Sequence, residues 1–225
     1  MCTKSCIEFG KRNIKEADVK GKYVIEVGSS DINGSLRPIV ESLGPASYIG
    51  IDLQAGPSVD QICKAEELIS RFGTNKFDLL ICTELLEHVM NWQKVIHNIK
   101  QVIKPNGLLV ITTRSKGTAY HSHPFDFWRY EILDISKIFS DFNIDIVEKD
   151  PLFPGVFIKA RKPVDFTENN LTKYNLYSII SKERTSIKKI YYRYYFIYKA
   201  RVFLSAILAD PLKSYIKKIF RVGKL

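Results

Sequence analysis

The sequence predicts a three-layer α/β fold, in which helices cover both faces of a seven-stranded, mostly parallel sheet. Two observations predict this fold class. Short, nearly continuous apolar runs alternate with amphipathic stretches from about residue 20 to residue 161, which is typical of parallel sheets buried on both faces. The chain also has 225 residues, 45% of them hydrophobic, which suits one domain with a packed core and an appendage.

The predicted elements alternate along the chain. Strands are predicted at residues 23–27, 47–53, 59–62, 77–82, 108–112, 142–147 and 156–160. Helices are predicted at residues 36–43, 64–72, 92–103 and 130–139. The third helix should end before Pro105, Asn106 and Gly107, because proline and glycine interrupt helices.

The positive charge is concentrated at one end of the chain. Residues 1–162 carry 21 Lys or Arg against 20 Asp or Glu, whereas residues 163–225 carry 13 against 4. Eight of the twelve tyrosines also lie beyond residue 163. We therefore predict a domain at residues 1–163 and a basic, aromatic-rich helical tail at residues 164–225, with a break at Asp210 and Pro211.

The tail composition suits several partners. Tyrosine and cationic side chains at residues 171–225 suit an anionic membrane surface, and docking on the core or on a second subunit ranks level with it. Nucleic acid ranks below both. No window reaches the roughly 18 apolar residues of a membrane span, and the start of the chain lacks the apolar run of a signal peptide. We predict a cytoplasmic protein whose tail can reach the inner membrane face, and the oligomeric state stays open.

The cysteines indicate reduced thiols. Cys2, Cys6, Cys63 and Cys82 have the spacing of neither a disulfide framework nor a paired metal site. Combining Cys63 or Cys82 with His121 and His123 matches no common ligand spacing either. We therefore predict no metal site.

A small-residue loop follows the first predicted strand. Ligands in open α/β sheets settle at the carboxyl ends of strands, and Gly28 and Gly34 allow close backbone approach or positive φ. Loop amides there suit an anionic group such as a carboxylate; a tight turn without a ligand is the equal alternative. Glu26 favours a ligand, because a carboxylate in an apolar strand needs a cationic or amide partner.

A second acidic residue ends the next strand. Asp52 follows Gly28 by 24 residues, the position from which a carboxylate can accept both hydroxyls of a ribose. A solvated Asp at a strand end is the alternative. This arrangement suits NAD and S-adenosylmethionine equally.

A longer set of motifs distinguishes these cofactors. Phe77-Asp-Leu-Leu-Ile-Cys-Thr-Glu84-Leu-Leu-Glu87-His88-Val89 is followed by Ile103-Lys-Pro-Asn-Gly107 and by Tyr120-His-Ser-His-Pro-Phe-Asp-Phe-Trp-Arg-Tyr130. With these motifs the chain resembles the class I S-adenosylmethionine-dependent methyltransferases of the type 11 group, over roughly residues 20–163. The resemblance implies a Rossmann-like fold, S-adenosylmethionine as cofactor and an enzyme that transfers methyl groups.

The resemblance also implies a cofactor site. Glu26, Gly28, Ser29, Ser30 and Gly34 would cradle the methionine part. The nucleoside would contact Asp52 at the ribose and Leu53, Ala65 and Glu66 at the adenine, with Cys82, Thr83 and Glu84 beneath the sulfonium. The chain departs from the family in a loop with fewer glycines and in Lys64, where relatives carry an acidic residue.

Histidines are the candidate bases, since a hydroxyl acceptor must lose its proton during methyl transfer. His123, His88 and Asp126 are the predicted catalytic residues, with His121, Trp128 and Arg129 as substrate-binding residues. The alternatives are a helix-start role for His88 and a lid held by Trp128 packing and an Asp126–Arg129 bond.

We expect O-methylation of a small-molecule, sugar, glycan or lipid-linked acceptor. The first alternative is a non-catalytic protein that binds S-adenosylmethionine or a membrane. An RNA methyltransferase and an NAD-dependent oxidoreductase are less favoured, the latter because the chain lacks a G-x-G-x-x-G loop.

Overall fold

The computed structural model describes residues 3–121, 125–189, 196 and 200. Its strands are β1 (Tyr23–Val27), β2 (Ser47–Asp52), β3 (Gln61–Ile62), β4 (Phe77–Thr83), β5 (Ile103–Arg114), β6 (Trp128–Arg129), β7 (Asn143–Lys149), β8 (Gly155–Arg161), β9 (Leu176–Ser178) and β10 (Arg184–Thr185). Its α-helices are α1 (Lys4–Asn13), α2 (Glu16–Val19), α3 (Arg37–Glu41), α4 (Leu68–Phe72), α5 (Trp92–Val102) and α6 (Ile132–Ile138). Two 3-10 helices lie at Ala65–Glu67 and Leu86–His88.

Seven strands form the central sheet in the order β3-β2-β1-β4-β5-β8-β7. The first five are mutually parallel, and β8 runs antiparallel to β5 and β7. The predicted fold class, a Rossmann-like sandwich with a seven-stranded mostly parallel sheet, is confirmed. The chain moves outward from β1 to β3 and then returns to the other side of β1 with β4. Ligands bind at such reversals of strand order.

Helices cover both faces of the sheet. On one face, the residues that pack on the strands include Leu68 of α4, Trp92 of α5 and Ile135 of α6, all buried. On the other face, Phe9 of α1 and Val40 of α3 are buried in a second apolar cluster. Strands β1, β4, β5 and β8 contribute to both clusters, because successive side chains point to opposite faces.

Two elements lie before the first predicted strand. Helix α1 begins at Thr3, whose hydroxyl accepts a hydrogen bond from Cys6 N (3.4 Å), as an N-cap residue does. Cys6 and Phe9 then point into the core, and the Phe9 ring lies 5.0 Å from that of Phe157. The sequence did not predict α1 or α2, because both are short and mostly polar on their exposed faces.

The chain after residue 163 continues to pack on the domain. Strands β10, β9 and β6 form a second, three-stranded antiparallel sheet, and Leu171 and Leu176 belong to the main apolar cluster. The buried Lys100 amine donates to Asp141 (2.6 Å) and to Asn169 Oδ1 (2.9 Å). The first described residues beyond position 163 therefore pack on the domain, and the boundary at 163/164 stays a prediction.

The predicted helical tail lies mostly outside the described residues. Its described part contains the strands β9 and β10 and becomes helical at residues 187–189. The predicted break at Asp210 and Pro211 and most of the basic segment fall beyond that part. Among the described residues, no helix combines the length and apolarity needed to cross a membrane. Membrane association of residues 171–225 stays a prediction.

Candidate active site

A cavity of about 540 Å³ opens at the carboxyl ends of β1, β2 and β4, at the reversal of strand order. Its lining includes eight residues predicted to bind cofactor or to act in catalysis: Gly28, Ser30, Asp52, Leu53, Ala65, Glu66, Glu84 and His88. Unpredicted lining residues include Gln54, Ala55, Gly56, Pro57, Cys63 and Phe125. Lys64, the noted departure from the family, also lies at this wall.

The loop after β1 is fixed to the end of β2. The amides of Gly28 and Ser29 both donate to Ile51 O, at 2.9 and 3.0 Å. Gly28 has φ +82°, and a Cβ there would lie 3.2 Å from Leu85. A side chain at this position would therefore strain the backbone and crowd Leu85. The glycine lets the main chain form one wall of the cavity.

Asp52 is oriented by main-chain amides. Its Oδ2 accepts from Ser30 N (3.1 Å) and its Oδ1 from Leu53 N (2.6 Å). A carboxylate has about four lone-pair positions, so both oxygens can still accept hydrogen bonds from a ligand in the cavity. The carboxylate is thus held in place while keeping acceptor capacity for hydroxyl groups.

Glu26 does not face the cavity. Its side chain is buried on the α1 and α3 side of the sheet, where Tyr48 donates a hydrogen bond to Oε2 (2.7 Å). Burial raises the pKa of Glu26 to about 7, against the opposing effects of Tyr48 and Arg37. Glu26 is not among the residues that line the cavity, and its contact with the cofactor stays a prediction. Because strand side chains alternate, the residue before Val27 points away from the face that Val27 lines.

Four other predicted cofactor residues lie behind the cavity wall. Ser29, Cys82 and Thr83 are buried and do not line the cavity. A Cβ at Gly34 would lie 2.8 Å from Ile7 of α1, and its amide donates to Asp31 Oδ1 (2.8 Å). These residues shape the strand ends and the loop beside the cavity, and their contact with the cofactor stays a prediction.

Glu84 has a left-handed backbone, with φ +55°. This conformation is uncommon for a residue other than glycine and concentrates at functional sites. Its carboxylate accepts from Thr112 Oγ1 (3.0 Å) and pairs with Arg114 Nε. Arg114 in turn donates to Asp150 (3.2 Å). Glu84 lines the cavity and is held there by Thr112 and Arg114, both of β5.

Three titratable side chains meet beside the cavity. His88 Nδ1 contacts the carbonyl oxygen of Phe125, while His121 Nδ1 lies 3.1 Å from Asp126 Oδ2. The two imidazole rings are 4.9 Å apart and nearly perpendicular. Glu87, which the sequence did not assign to the site, lies between them with Oε1 3.9 Å from His88 Nε2 and 3.8 Å from His121 Nε2.

The surroundings of the two histidines change their pKa in opposite directions. Burial lowers the pKa of His88, against the nearby carboxylates. The hydrogen bond to Asp126 raises the pKa of His121. The pKa of Asp126 is lowered even though the residue is buried, because Arg129 and His121 both bond to it. His121 is therefore the stronger base of the pair.

Trp128 and Arg129 are part of the core. Trp128 is fully buried, and its Nε1 donates to Val89 O (3.0 Å). Arg129 is also fully buried and donates to both oxygens of Asp126, at 2.5 and 2.7 Å. Trp128 and Arg129 make the packing and the Asp126–Arg129 bond of the alternative interpretation, and substrate binding by these two residues stays a prediction. Asp126 is correspondingly a partner of His121 and Arg129 rather than a free base.

The remaining predicted catalytic residue, His123, lies outside the described residues. Its role stays a prediction. Glu87 is the functional candidate that sequence reasoning missed. Its signal was present, because it is a carboxylate that directly precedes His88 in the quoted motif.

Comparison with known proteins identifies a family. The family described as "Methyltransferase domain" matches residues 4–145. Ubiquinone biosynthesis O-methyltransferase from Coxiella burnetii is 27% identical over 139 residues, covering 56% of this chain and 55% of that protein. The enzyme of the same name from Glaesserella parasuis is 31% identical over 118 residues, covering 45% and 49%. The chain spans about half the length of the curated relatives it matches.

Solved structures share the fold. The Burkholderia thailandensis 1,6-didemethyltoxoflavin-N1-methyltransferase, with bound 1,6-didemethyltoxoflavin and S-adenosylhomocysteine, has a TM-score of 0.57 at 14% identity, covering 70% of this chain and 78% of that one. An S-adenosylmethionine-dependent methyltransferase from Mesorhizobium loti has a TM-score of 0.53 at 16% identity, covering 70% and 98%. At these identities the likeness concerns the fold.

Proposed function

The chain belongs to the methyltransferase-domain family, and from this premise we propose that it transfers a methyl group from S-adenosylmethionine to a hydroxyl oxygen of a small-molecule acceptor. The observation that carries the proposal is the cavity at the strand reversal, with Asp52 held at its edge. The names of the matched relatives, which are O-methyltransferases, support oxygen as the acceptor atom. Sugar and lipid-linked acceptors belong to the same hydroxyl class.

The cavity residues fit this cofactor. Asp52 keeps acceptor capacity for two ribose hydroxyls, and the apolar side chains of Val27, Ile51 and Leu53 offer contact for an adenine ring. The wall at Gly28 has no room for a Cβ, which suits close approach of the backbone to a ligand. Glu84 also lines the cavity and offers carboxylate oxygens toward a bound ligand. When bound, the cofactor supplies a methyl group activated by a positively charged sulfur.

In the proposed reaction, the residues of this chain would bind and orient the acceptor and take the proton from its hydroxyl group. Methyl transfer is an in-line displacement, so most of the rate enhancement comes from aligning the acceptor oxygen with the methyl group. His88 lines the cavity, and its Nδ1 is used by the Phe125 carbonyl. A carbonyl oxygen can only accept a hydrogen bond, so Nδ1 carries the ring proton. Nε2 is therefore the basic atom of the neutral ring. His88 is thus the described residue best placed to take the hydroxyl proton.

Cofactor binding tests the proposal by isothermal titration with S-adenosylhomocysteine. We expect Asp52→Ala to weaken binding by about tenfold to a hundredfold, the effect of losing hydrogen bonds to a charged group. Asp145→Ala is the matched control, since Asp145 lies on β7 at the far edge of the sheet. Equal affinity of wild type and Asp52→Ala would remove Asp52 from the cofactor site.

A further inference from the structure

Arg37 connects helix α3 to the loop of residues 53–60, which follows β2. It is the first residue of α3, and its Nε donates to Glu41 Oε1 of the same helix (2.8 Å). Its NH1 donates to Ser58 O (3.2 Å) and to Asp60 Oδ2 (2.8 Å) of the loop. A planar guanidinium offers five N–H donors in fixed directions, so one side chain bonds to its own helix and to the distant loop at the same time.

The guanidinium also contacts the central sheet. Its Cζ lies 4.9 Å from the centre of the Tyr48 ring of β2, which is within the range of a cation–π contact. The Arg37 side chain is 19% exposed, so its ion pair with Asp60 is better shielded from solvent than a pair between two fully exposed groups. These contacts fix the guanidinium between β2 and the loop.

Asp60 closes the far end of the loop onto β2. Gly50 N donates to Asp60 Oδ2 (2.7 Å), and Asp60 N donates to Gly50 O (2.8 Å). A Cβ at Gly50 would lie 2.3 Å from Ser58 O, so the loop packs directly on the main chain of the strand. The carboxylate oxygen that accepts from Gly50 is also the one that accepts from Arg37. The arginine therefore stabilises the charge that closes the loop.

The backbone of Ser58 indicates that the loop depends on contacts outside itself. Ser58 has φ +66°, a left-handed conformation that is uncommon for a residue other than glycine. Such a conformation persists where surrounding contacts determine it. At Ser58 these contacts are the hydrogen bond from Arg37 to its carbonyl oxygen and the close packing on Gly50. Without the arginine we expect the loop to sample other conformations.

The same loop forms one wall of the cavity. Residues 54–57 line it, whereas Arg37 itself is not among the lining residues. Pro57 O accepts a hydrogen bond from Asp31 N (3.0 Å), which joins this wall to the loop after β1. The shape of the wall therefore depends on a side chain that lies outside the cavity.

We propose that Arg37 is a positioning residue that holds the loop of residues 53–60 in the conformation that binds the nucleoside part of S-adenosylmethionine. The loop directly follows Asp52, the residue with acceptor capacity for the ribose hydroxyls, so a shift of the loop changes the wall next to the ribose and the adenine. This inference rests on the proposed function. It assigns Arg37 no contact with the cofactor.

Isothermal titration with two compounds tests the proposal. S-adenosylhomocysteine and 5′-methylthioadenosine share the nucleoside, but the second lacks the amino-acid part. We expect Arg37→Met to weaken binding of both by about tenfold, because a loop that keeps the binding conformation for about a tenth of the time lowers the apparent affinity by that factor. Arg37→Lys should lose less, since it keeps a positive charge beside Asp60.

Arg12→Met is the matched control. Arg12 lies on α1, pairs with Glu148 and has a side chain that is 60% exposed, and it does not line the cavity. This variant should bind both compounds as the wild type does. Unchanged affinity in Arg37→Met would overturn the proposal. A loss confined to S-adenosylhomocysteine would also overturn it, because the effect would then act on the amino-acid part.

A double-mutant cycle tests whether Arg37 acts through Asp60. Asp60→Asn should weaken binding by a similar factor, and the double variant should lose little more than either single variant, since both changes release the same contact. Fully additive losses would contradict the proposal.

Amide hydrogen exchange follows the loop in the absence of ligand. Arg37→Met should speed exchange in the peptide that covers residues 53–60 and leave that of α1 unchanged. Equal exchange of this peptide in both proteins would overturn the proposal even if affinity falls. Failure of the wild type to bind either compound would reject the proposed function, and this inference with it.

Discussion

The two sides of the cavity differ in how their polar side chains are used. On the side of β1 and β2, main-chain amides bond to Ile51 and Asp52, and the Asp52 carboxylate keeps acceptor capacity toward the cavity. On the side of the loop after β5, Asp126, Trp128 and Arg129 are fully buried and bond to one another or to the main chain. Among the described residues of the second side, His88, His121 and Phe125 combine polar or aromatic groups with partial exposure.

The difference teaches that a polar side chain near a cavity need not face it. Both sides were predicted to bind ligands through their charged residues. The first side presents its main chain and the oriented Asp52 carboxylate to the cavity, whereas the charges of the second side fix a buried loop that carries His121. A buried charge pair costs desolvation and gains little net stability, so its evident role is to fix positions.

The largest expected loss of unfolding free energy is for a substitution at Arg129. Arg129→Met would leave Asp126 buried without its partner, and breaking such a pair costs about 3 to 5 kcal/mol of unfolding free energy. Denaturant unfolding measures it. Arg161→Met is the matched control, because Arg161 pairs with Asp18 but is 38% exposed, and it should cost about 1 kcal/mol or less. Equal costs for both variants would show that the second side is not held by its buried pair.

A smaller effect is expected at Glu26, and it depends on pH. The pKa of Glu26 is raised to about 7 in the folded protein, above the unfolded value of about 4.5. The folded state therefore retains a proton that the unfolded state loses. The stabilisation from this group is complete below about pH 4.5 and is lost as the pH rises through 7, a change of roughly 3 kcal/mol.

Glu26→Gln removes this dependence. Its unfolding free energy should match that of the wild type near pH 4.5 and exceed it at pH 8, while its affinity for S-adenosylhomocysteine stays within about twofold. The same gap between the two proteins at both pH values would contradict the buried position. A large loss of affinity would return Glu26 to the cofactor side of the comparison.

The smallest effect is expected at Gly28. Gly28→Ala should cost about 1 to 2 kcal/mol of stability, from positive φ and from the contact with Leu85. Gly21→Ala measures the cost of the positive φ alone, since Gly21 has φ +68° and open space for a Cβ. Only the Gly28 variant should also weaken binding of S-adenosylhomocysteine. If both variants bind equally well, the first side does not depend on close backbone approach.

The sequence predicted the sheet well because its signals are local. Apolar strands such as residues 77–82 and the stop at Pro105 to Gly107 depend on neighbouring residues alone. Helix α1 and the sheet of β6, β9 and β10 were missed, because their stability comes from distant contacts such as Phe9 with Phe157 and Arg184 of β10 with Asp134. The periodicity of these segments carries little of that information.

The site was predicted in part for the same reason. Gly28, Asp52 and His88 follow strand ends, and strand ends converge in any parallel sheet, so their meeting at the cavity follows from sequence position. Side-chain direction does not follow as directly. Glu26 faces the α1 and α3 side, and Arg129 faces the core, because of strand alternation and a buried partner. Glu87 was missed because its importance depends on His121, which lies 34 residues away along the chain.

The most direct test of the proposed activity is mass spectrometry of small-molecule extracts incubated with the protein and S-adenosylmethionine carrying a trideuterated methyl group. The expected result is a hydroxyl compound whose mass increases by one labelled methyl group in place of hydrogen, formed by the wild type and not by Asp52→Ala. Labelled product that forms equally with both proteins, or product labelled on carbon or nitrogen alone, would contradict the account.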